Sequence, residues 1–305
     1  MNGQKKEPCG VLLVNKPQGI TSHDVVGRIR RLYGTRRVGH TGTLDPLATG
    51  ALVILVGRAA KASEYLVCDT KRYRAGITLG LTSDTEDITG NILSRSGNIP
   101  EKEKVLSTCG EFVGKIMQTP PMYSALKIGG KKLVDLAREG IEVEREAREI
   151  EIFSLKCQPT EDEAVYDLDV ECSSGTYIRT LCADIGAKLG CGAVMSSLER
   201  VRVGGFNIEN AVTLEEIEAL DEEARLSLLS PTESLFEGLS AVNLPAFYER
   251  LCRSGCEIYQ SKIKTDVPIG ERVRLCSQNG AFFALGEVRE YENGTAIKSI
   301  KIFDL

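Results

Sequence analysis

GHTGTLDPLATG at residues 39–50, running directly into ALVILVG at residues 51–57, is the segment from which the rest of the chain is read. Its second half is an unbroken apolar run ending in glycine, the pattern of a strand buried on both faces. Its first half places Gly39, Gly42, Gly50 and Pro46 within twelve residues. Glycine lets a backbone turn tightly and come close to a ligand. Pro46 holds the residue before it, Asp45, in an extended conformation. The combination presents one carboxylate from a fixed loop, a common setting for chemistry. A turn aspartate that bonds its own backbone has the same local sequence. The segment is not a phosphate-binding loop, because the GK[ST] ending is absent.

Upstream, VLLVN (11–15) reads as a buried strand and Lys16-Pro17-Gln18-Gly19 as a turn. Thr21 or Ser22 caps a helix running to Tyr33, with Val25, Ile29 and Leu32 on one face, Arg28 and Arg31 on the polar face, and Gly34 at its end. Downstream, a short helix is expected over 58–66 and a strand over KRYRAGITLG, 71–80. Strand alternation puts Arg72 and Arg74 on one side and Lys71 and Tyr73 on the other. A polar loop (81–90) follows, then a helix over 101–113, a basic segment after a double proline (118–133) and a short helix over 133–140. Strands are expected at 149–157, 164–172 and 193–203, the last carrying Leu198, with a turn and helix over 173–190. An acidic helical stretch at 213–230 closes this region. After Pro245 the pattern changes to short strands and turns: DVPIGERVRLC, GAFFALGEV and AIKSIKIF. No repeat or low-complexity tract interrupts the chain.

The 305 residues are 42% hydrophobic and 27% charged, ordinary for a soluble globular protein. No apolar run approaches the roughly 20 residues of a membrane span, and the N-terminal residues lack the apolar stretch of a signal peptide. A cytoplasmic protein is expected. The ten cysteines are scattered and are read as reduced thiols, several of them small core residues. Cys252 and Cys256 have helical spacing but no histidine nearby, so no zinc site is assigned. With only His23 and His40 in the chain, His-rich metal sites are excluded. Net charge is −5, yet residues 1–80 carry thirteen Lys and Arg against five Asp and Glu, while 209–237 is strongly acidic. A basic region in an acidic chain suits a phosphate-facing surface or, equally, a solvated charged face.

SSGTYIRTLCADIG (173–186) puts Thr176, Tyr177 and Arg179 at a strand end and first helical turn, where a guanidinium could meet a carboxylate. Tyr73 within KRYR suits stacking on a base flanked by phosphate contacts. Taken in order, GVLLVNKPQGITSHDVV, GHTGTLDPLATGALVI, KRYR, the loop around Asp84, QTPPMYSALK with GGKKL, and SGTYIRTLCADIG resemble the TruB-type tRNA pseudouridine synthases. The likeness runs over roughly the first 240 residues. The closing module resembles the PUA-like RNA-binding domain.

The resemblance implies an α+β fold, with a mixed, mainly antiparallel sheet and flanking helices over residues 1–238 and a PUA-like β-rich domain over 239–305. It implies a mobile insertion at about 124–152 that closes over RNA. Asp45 falls at the catalytic aspartate, Tyr73 at the tyrosine that stacks on the target base, and Arg179 at the arginine pairing with the aspartate, with Tyr177 beside it. Leu198 matches an apolar residue against the uracil, and Lys16 the lysine of a KP motif. His40 matches a histidine that fills the space left by flipped bases. Asp84 is counted with the substrate-contacting residues. The implied substrate is the uridine at position 55 in the T arm of tRNA, converted by a monomer without cofactor, metal or guide RNA.

Pseudouridine formation breaks the bond from C1′ to N1 and makes one from C1′ to C5, with nothing oxidised. A carboxylate can attack C1′, add to C6, or stabilise a glycal, and the sequence leaves these three open. In each, Asp45 must be ionised; burial raises its pKa, and Arg179 opposes that. Three other readings compete: a non-catalytic RNA-binding or RNA-folding protein, a guide-RNA-dependent enzyme, and a glycosidase with Asp84 as second carboxylate.

Overall fold

The structure, a computed structural model, describes residues 7–65 and 70–303. The apolar run after the glycine loop forms the strand β2 (Thr49–Val56), buried along its length except at Thr49. β1 (Gly10–Lys16) lies antiparallel to it, with Gly10 opposite Val56 and Lys16 opposite Gly50. That register carries Lys16 to the end of β2 where the Asp45 loop enters. The sheet continues through β3 (Thr70–Leu79), β4 (Gly114–Gln118), β5 (Arg148–Pro159), β6 (Val165–Ser173) and β7 (Ala193–Val203). Their spatial order is β1-β2-β7-β3-β6-β5-β4. Two short strands, Val38–His40 beside β2 and Phe206–Asn207 beside β7, make nine. Every pairing is antiparallel except β2 with β7, which meet in parallel only where Thr49 and Gly50 lie beside Glu199 and Arg200.

That meeting explains one glycine. Gly50 has φ of +103°, and a Cβ there would stand 2.4 Å from the carbonyl oxygen of Arg200. Only glycine lets the end of β2 that follows the Asp45 loop lie this close to β7.

One face of the sheet packs on the helices α1 (Ser22–Leu32), α2 (Lys102–Gly110) and α3 (Ile178–Leu189), with Val25, Ile29, Val105, Leu181 and Ile185 fully buried. Thr21 caps α1 through a reciprocal pair of bonds with Asp24, and Gly190 ends α3 in the left-handed conformation, as short polar caps and C-terminal glycines do. The other face, around Val11, Ala51, Val53 and Leu55, is covered by Ala59 of a 3-10 helix (Gly57–Tyr65) and by Phe206 and Leu235. β2 is therefore buried on both sides, as its composition requires. The helix expected over 58–66 is this 3-10 segment; its last residue lies outside the described ones.

The C-terminal region builds a second sheet from β8 (Ala241–Leu244), β9 (Ile258–Tyr259), β10 (Arg272–Ser277), β11 (Phe282–Tyr291) and β12 (Gly294–Ile302), ordered β8-β10-β11-β12-β9. The fold is thus α+β with a mixed, mainly antiparallel sheet and a smaller β-rich C-terminal part. Phe236, Phe282 and Phe303 stack with centroids 5.4 to 5.9 Å apart and join Ala62 of the 3-10 helix to the second sheet. Burying each such ring contributes about 1.5–3 kcal/mol, so the two sheets are fastened by apolar packing.

Three local readings are corrected. The segment after Pro245 begins with a helix, α4 (Ala246–Arg253), rather than a strand. Proline's fixed φ suits a helix start, and the Phe247-to-Arg253 pattern is too short to show its period in sequence. α4 stops before Cys256, so the spacing of Cys252 and Cys256 is not helical; Cys252 is buried and Cys256 exposed. The acidic stretch 213–230 is two short helices, Leu214–Ala219 and Glu222–Ser227, because Asp221 caps a new start. No helix of the described residues is long and apolar enough to cross a membrane.

Candidate active site

The loop bearing Asp45 is pinned from three sides. Ser22, in the first turn of α1, donates its hydroxyl to the Leu44 carbonyl at 2.9 Å and accepts from the Leu44 amide at 2.8 Å. The Gly19 amide donates to the Pro46 carbonyl at 2.8 Å. From beneath, the Arg200 guanidinium donates to the carbonyls of Ala51 at 2.8 Å, Gly42 at 3.1 Å and Thr43 at 3.4 Å. Arg200 is 1% exposed. A buried guanidinium needs its donors satisfied, and here two loop carbonyls and one from β2 accept from it and are fixed in return.

Arg179 sits in the first turn of α3, behind its cap residue Tyr177. Its Nε lies 3.1 Å from Oδ2 of Asp45. Nη1 donates to the Thr85 carbonyl at 3.1 Å, Nη2 to the Tyr123 carbonyl at 2.9 Å, and Nη1 stands 3.8 Å from Oδ2 of Asp87. Asp45 and Arg179 therefore meet, through Nε rather than a two-pronged contact. The Arg179 side chain is 6% exposed and that of Asp45 is 35% exposed. Burial raises the Asp45 pKa; Arg179 and Lys16 counter it, and the like charge of Asp87 adds to it.

Lys16 is fully buried and donates from Nζ to the carbonyls of Pro17 and Ile20, both at 2.8 Å. Burial brings its pKa down to about 8, against the pull of Asp45 in the other direction. Tyr73, in the middle of β3, is buried and lies opposite Arg200 on β7. Its phenol is pushed up by burial and stays neutral. Leu198 on β7 is 9% exposed and lies opposite Ala75. His40 ends the strand Val38–His40, and its Nδ1 accepts from the Gly42 amide at 3.3 Å. Burial holds its pKa below the usual histidine range. The Tyr177 amide donates to Gln118 Oε1 at 2.8 Å, while Gln118 Nε2 donates to the Tyr177 carbonyl at 3.1 Å. A cleft of about 610 Å³ adjoins the loop through Leu47 and Thr49; its lining mixes apolar Leu168 and Leu198 with charged side chains such as Arg74 and Asp169.

Asp84 lies in the loop that approaches Arg179, but its carboxylate accepts from the Asn91 amide at 2.8 Å and the Asn91 side chain at 2.9 Å. The carboxylate that this loop turns toward the guanidinium is Asp87. Sequence reading missed Asp87, Arg200, Ser22 and Gln118. In the sequence Ser22 reads only as a possible cap, and Gln118 carries no signal. Part of the basic N-terminal charge is answered within the chain, where Arg28 on α1 pairs with Glu218 of the acidic stretch at 3.7 Å.

The fold is shared with a solved Cbf5–Nop10–Gar1 complex, at a TM-score of 0.74 and 26% identity, covering 96% of this chain and 84% of the other. The TruB family pseudouridylate synthase N-terminal domain matches residues 30–178, and the tRNA pseudouridylate synthase B C-terminal domain matches residues 179–237. A tRNA pseudouridine synthase B of Syntrophotalea carbinolica is 50% identical over 245 residues, 79% of each chain. One from Alkaliphilus oremlandii is 41% identical over 298 residues, 97% of this chain and 98% of its own. This chain belongs to the TruB family of pseudouridylate synthases.

Proposed function

We propose that the chain converts uridine to pseudouridine in the T arm of tRNA, at position 55, with Asp45 acting on the nucleoside. The observation that carries this is the 3.1 Å pair of Asp45 and Arg179 at a fixed loop beside an open cleft, in a chain of this family. The reaction breaks C1′–N1, forms C1′–C5, releases the C5 proton and returns a proton to N1. All three routes require an ionised carboxylate close to the sugar or the base. RNA seated over the cleft removes the remaining water from Asp45, and a permanent cation that is already buried keeps it charged.

The neighbours take roles that fit their surroundings. Tyr73, neutral and buried, offers a face to the extruded base. Leu198 supplies an apolar wall against uracil, and Tyr177 closes the site beside Arg179. His40, neutral in its buried setting, occupies space vacated when bases leave their stack, a step that costs a few kcal/mol. Lys16 holds the chain entering α1 and adds positive potential behind Asp45. Asp84 shapes the loop that carries Asp87.

Residues 1–238 are read as the catalytic domain and 239–305 as an RNA-binding domain; of the insertion expected at about 124–152, residues 148–152 are the start of β5 and are paired to β4, so the part read as closing over RNA is 124–147. The protein is read as a monomer acting in the cytoplasm without a guide RNA. A T-arm hairpin labelled with tritium at C5 of its uridine tests this. Purified protein alone should release the label to water. Release only after guide RNA and partner proteins are added overturns the stand-alone reading, and no release under either condition overturns the activity.

A further inference from the structure

Two described residues other than glycine have a left-handed backbone, Glu86 at φ +62° and Lys264 at φ +53°. Lys264 follows a helix end, where such a conformation is ordinary. Glu86 follows no helix, and a residue with a Cβ is strained there unless its surroundings hold it.

Those surroundings are specific. The Glu86 carboxylate accepts from the Thr180 hydroxyl at 2.5 Å, and Thr180 is the residue after Arg179 on α3. The Glu86 carbonyl accepts from the Met195 amide of β7 at 3.1 Å, and the Ile88 amide donates to the Met195 carbonyl at 2.9 Å. The loop is thus bound by a side chain to α3 and by main chain to β7, with Glu86 at the bend. The residues on either side both serve Arg179: Thr85 through its carbonyl at 3.1 Å and Asp87 through its carboxylate at 3.8 Å. A right-handed φ at residue 86 would swing one of the two away.

We propose that Glu86 is a positioning residue, whose left-handed bend and bond to Thr180 set the Arg179 guanidinium against Asp45. It does not touch the reacting atoms, and the inference rests on the pseudouridine synthase reading above.

Three proteins test it on unmodified tRNA: the parent, Glu86→Gly and Glu86→Gln. Glycine takes φ +62° without strain, which offsets part of the lost bond to Thr180, so Glu86→Gly should remain folded at the assay temperature, with a melting temperature within several degrees of the parent. Its kcat should fall about tenfold with KM for tRNA within about twofold, the scale of one lost hydrogen bond to a charged group. The acid limb of its kcat profile should move to higher pH. Asp45 is faced by Arg179, Lys16 and Asp87 in all three proteins, and only the first is loosened. Glu86→Gln keeps an acceptor for Thr180 and should stay within about twofold of the parent in kcat. A Glu86→Gly protein with parental kcat and pH profile overturns the inference alone. So does a loss of kcat shared equally by Glu86→Gln. A parent that converts no tRNA overturns the underlying reading and this inference with it.

Discussion

Two loops bring a carboxylate to the same guanidinium, and they do it in opposite ways. The loop at 84–90 spends Asp87 on its own architecture. Asp87 Oδ1 accepts from the Thr85 hydroxyl at 2.9 Å, the Thr89 amide at 2.9 Å and the Thr89 hydroxyl at 2.6 Å, and the residue is 5% exposed. The loop at 39–50 is held by others, through Ser22, the Gly19 amide and Arg200, and asks nothing of its acid. The Asp45 carboxylate pairs with Arg179 at 3.1 Å, and a third of its side chain remains open. A carboxylate that accepts three internal donors is a structural part. One held by a single cation, with a third of its side chain open, keeps lone pairs free. Equal charge and a shared partner therefore do not give equal roles; what decides is how many donors each oxygen already serves.

Short of removing Asp45, the largest effect is expected from Arg179→Lys. An ammonium cannot serve Asp45, two carbonyls and Asp87 at once, so kcat should fall about 100-fold, equivalent to about 3 kcal/mol. The acid limb of the kcat profile should move to higher pH, because the group lowering the Asp45 pKa has been weakened. An unmoved limb would mean that Arg179 does not hold Asp45 ionised.

Asp87→Asn separates the two carboxylates further. The asparagine oxygen can still accept the three loop donors, so conversion should change only a few-fold. Removing the like charge lowers the Asp45 pKa, so here the acid limb should move to lower pH, opposite to Arg179→Lys. Limbs that move together would break the comparison.

Lys16→Met should alter rate least and the pH dependence of stability most. The Lys16 pKa is about 8 in the folded chain against 10.5 for the free group. Between those values the unfolded chain binds more protons, so parental stability should gain with rising pH from about 8 to 10.5 relative to Lys16→Met, on the order of 1–3 kcal/mol. Urea midpoints across that window measure it; parallel curves would mean that Lys16 is not desolvated.

Much of this was legible in the sequence, for local reasons. Strand alternation put Arg72 and Arg74 on the side opposite Tyr73, and in the fold Tyr73 is buried while both arginines are exposed. The glycine loop and the buried strand behind it followed from composition. The contact of Asp45 with Arg179 spans distant segments and no periodicity reports it; family likeness alone brought the two together. Arg200 was hidden for a different reason. In LERVRV, alternation gives Arg200 and Arg202 one environment, yet the register on β3 slips between them. The slip buries Arg200 and leaves its neighbour half-exposed in a pair with Glu171. A bulge is an extra residue in a ladder, which a period-two reading cannot contain. Asp87 was passed over because three acids crowd 84–87 and only folding decides which faces inward.

The central claim is that the open carboxylate, not the enclosed one, acts on the nucleoside. Incubating unmodified tRNA with the parent and with Asp45→Asn, then mapping pseudouridine at nucleotide resolution, tests it most directly. The expected result is pseudouridine in the T arm with the parent, and uridine there with Asp45→Asn, slowed at least about 1,000-fold while tRNA is still bound. Asp45→Asn protein that modifies the T arm at the parental rate would contradict it.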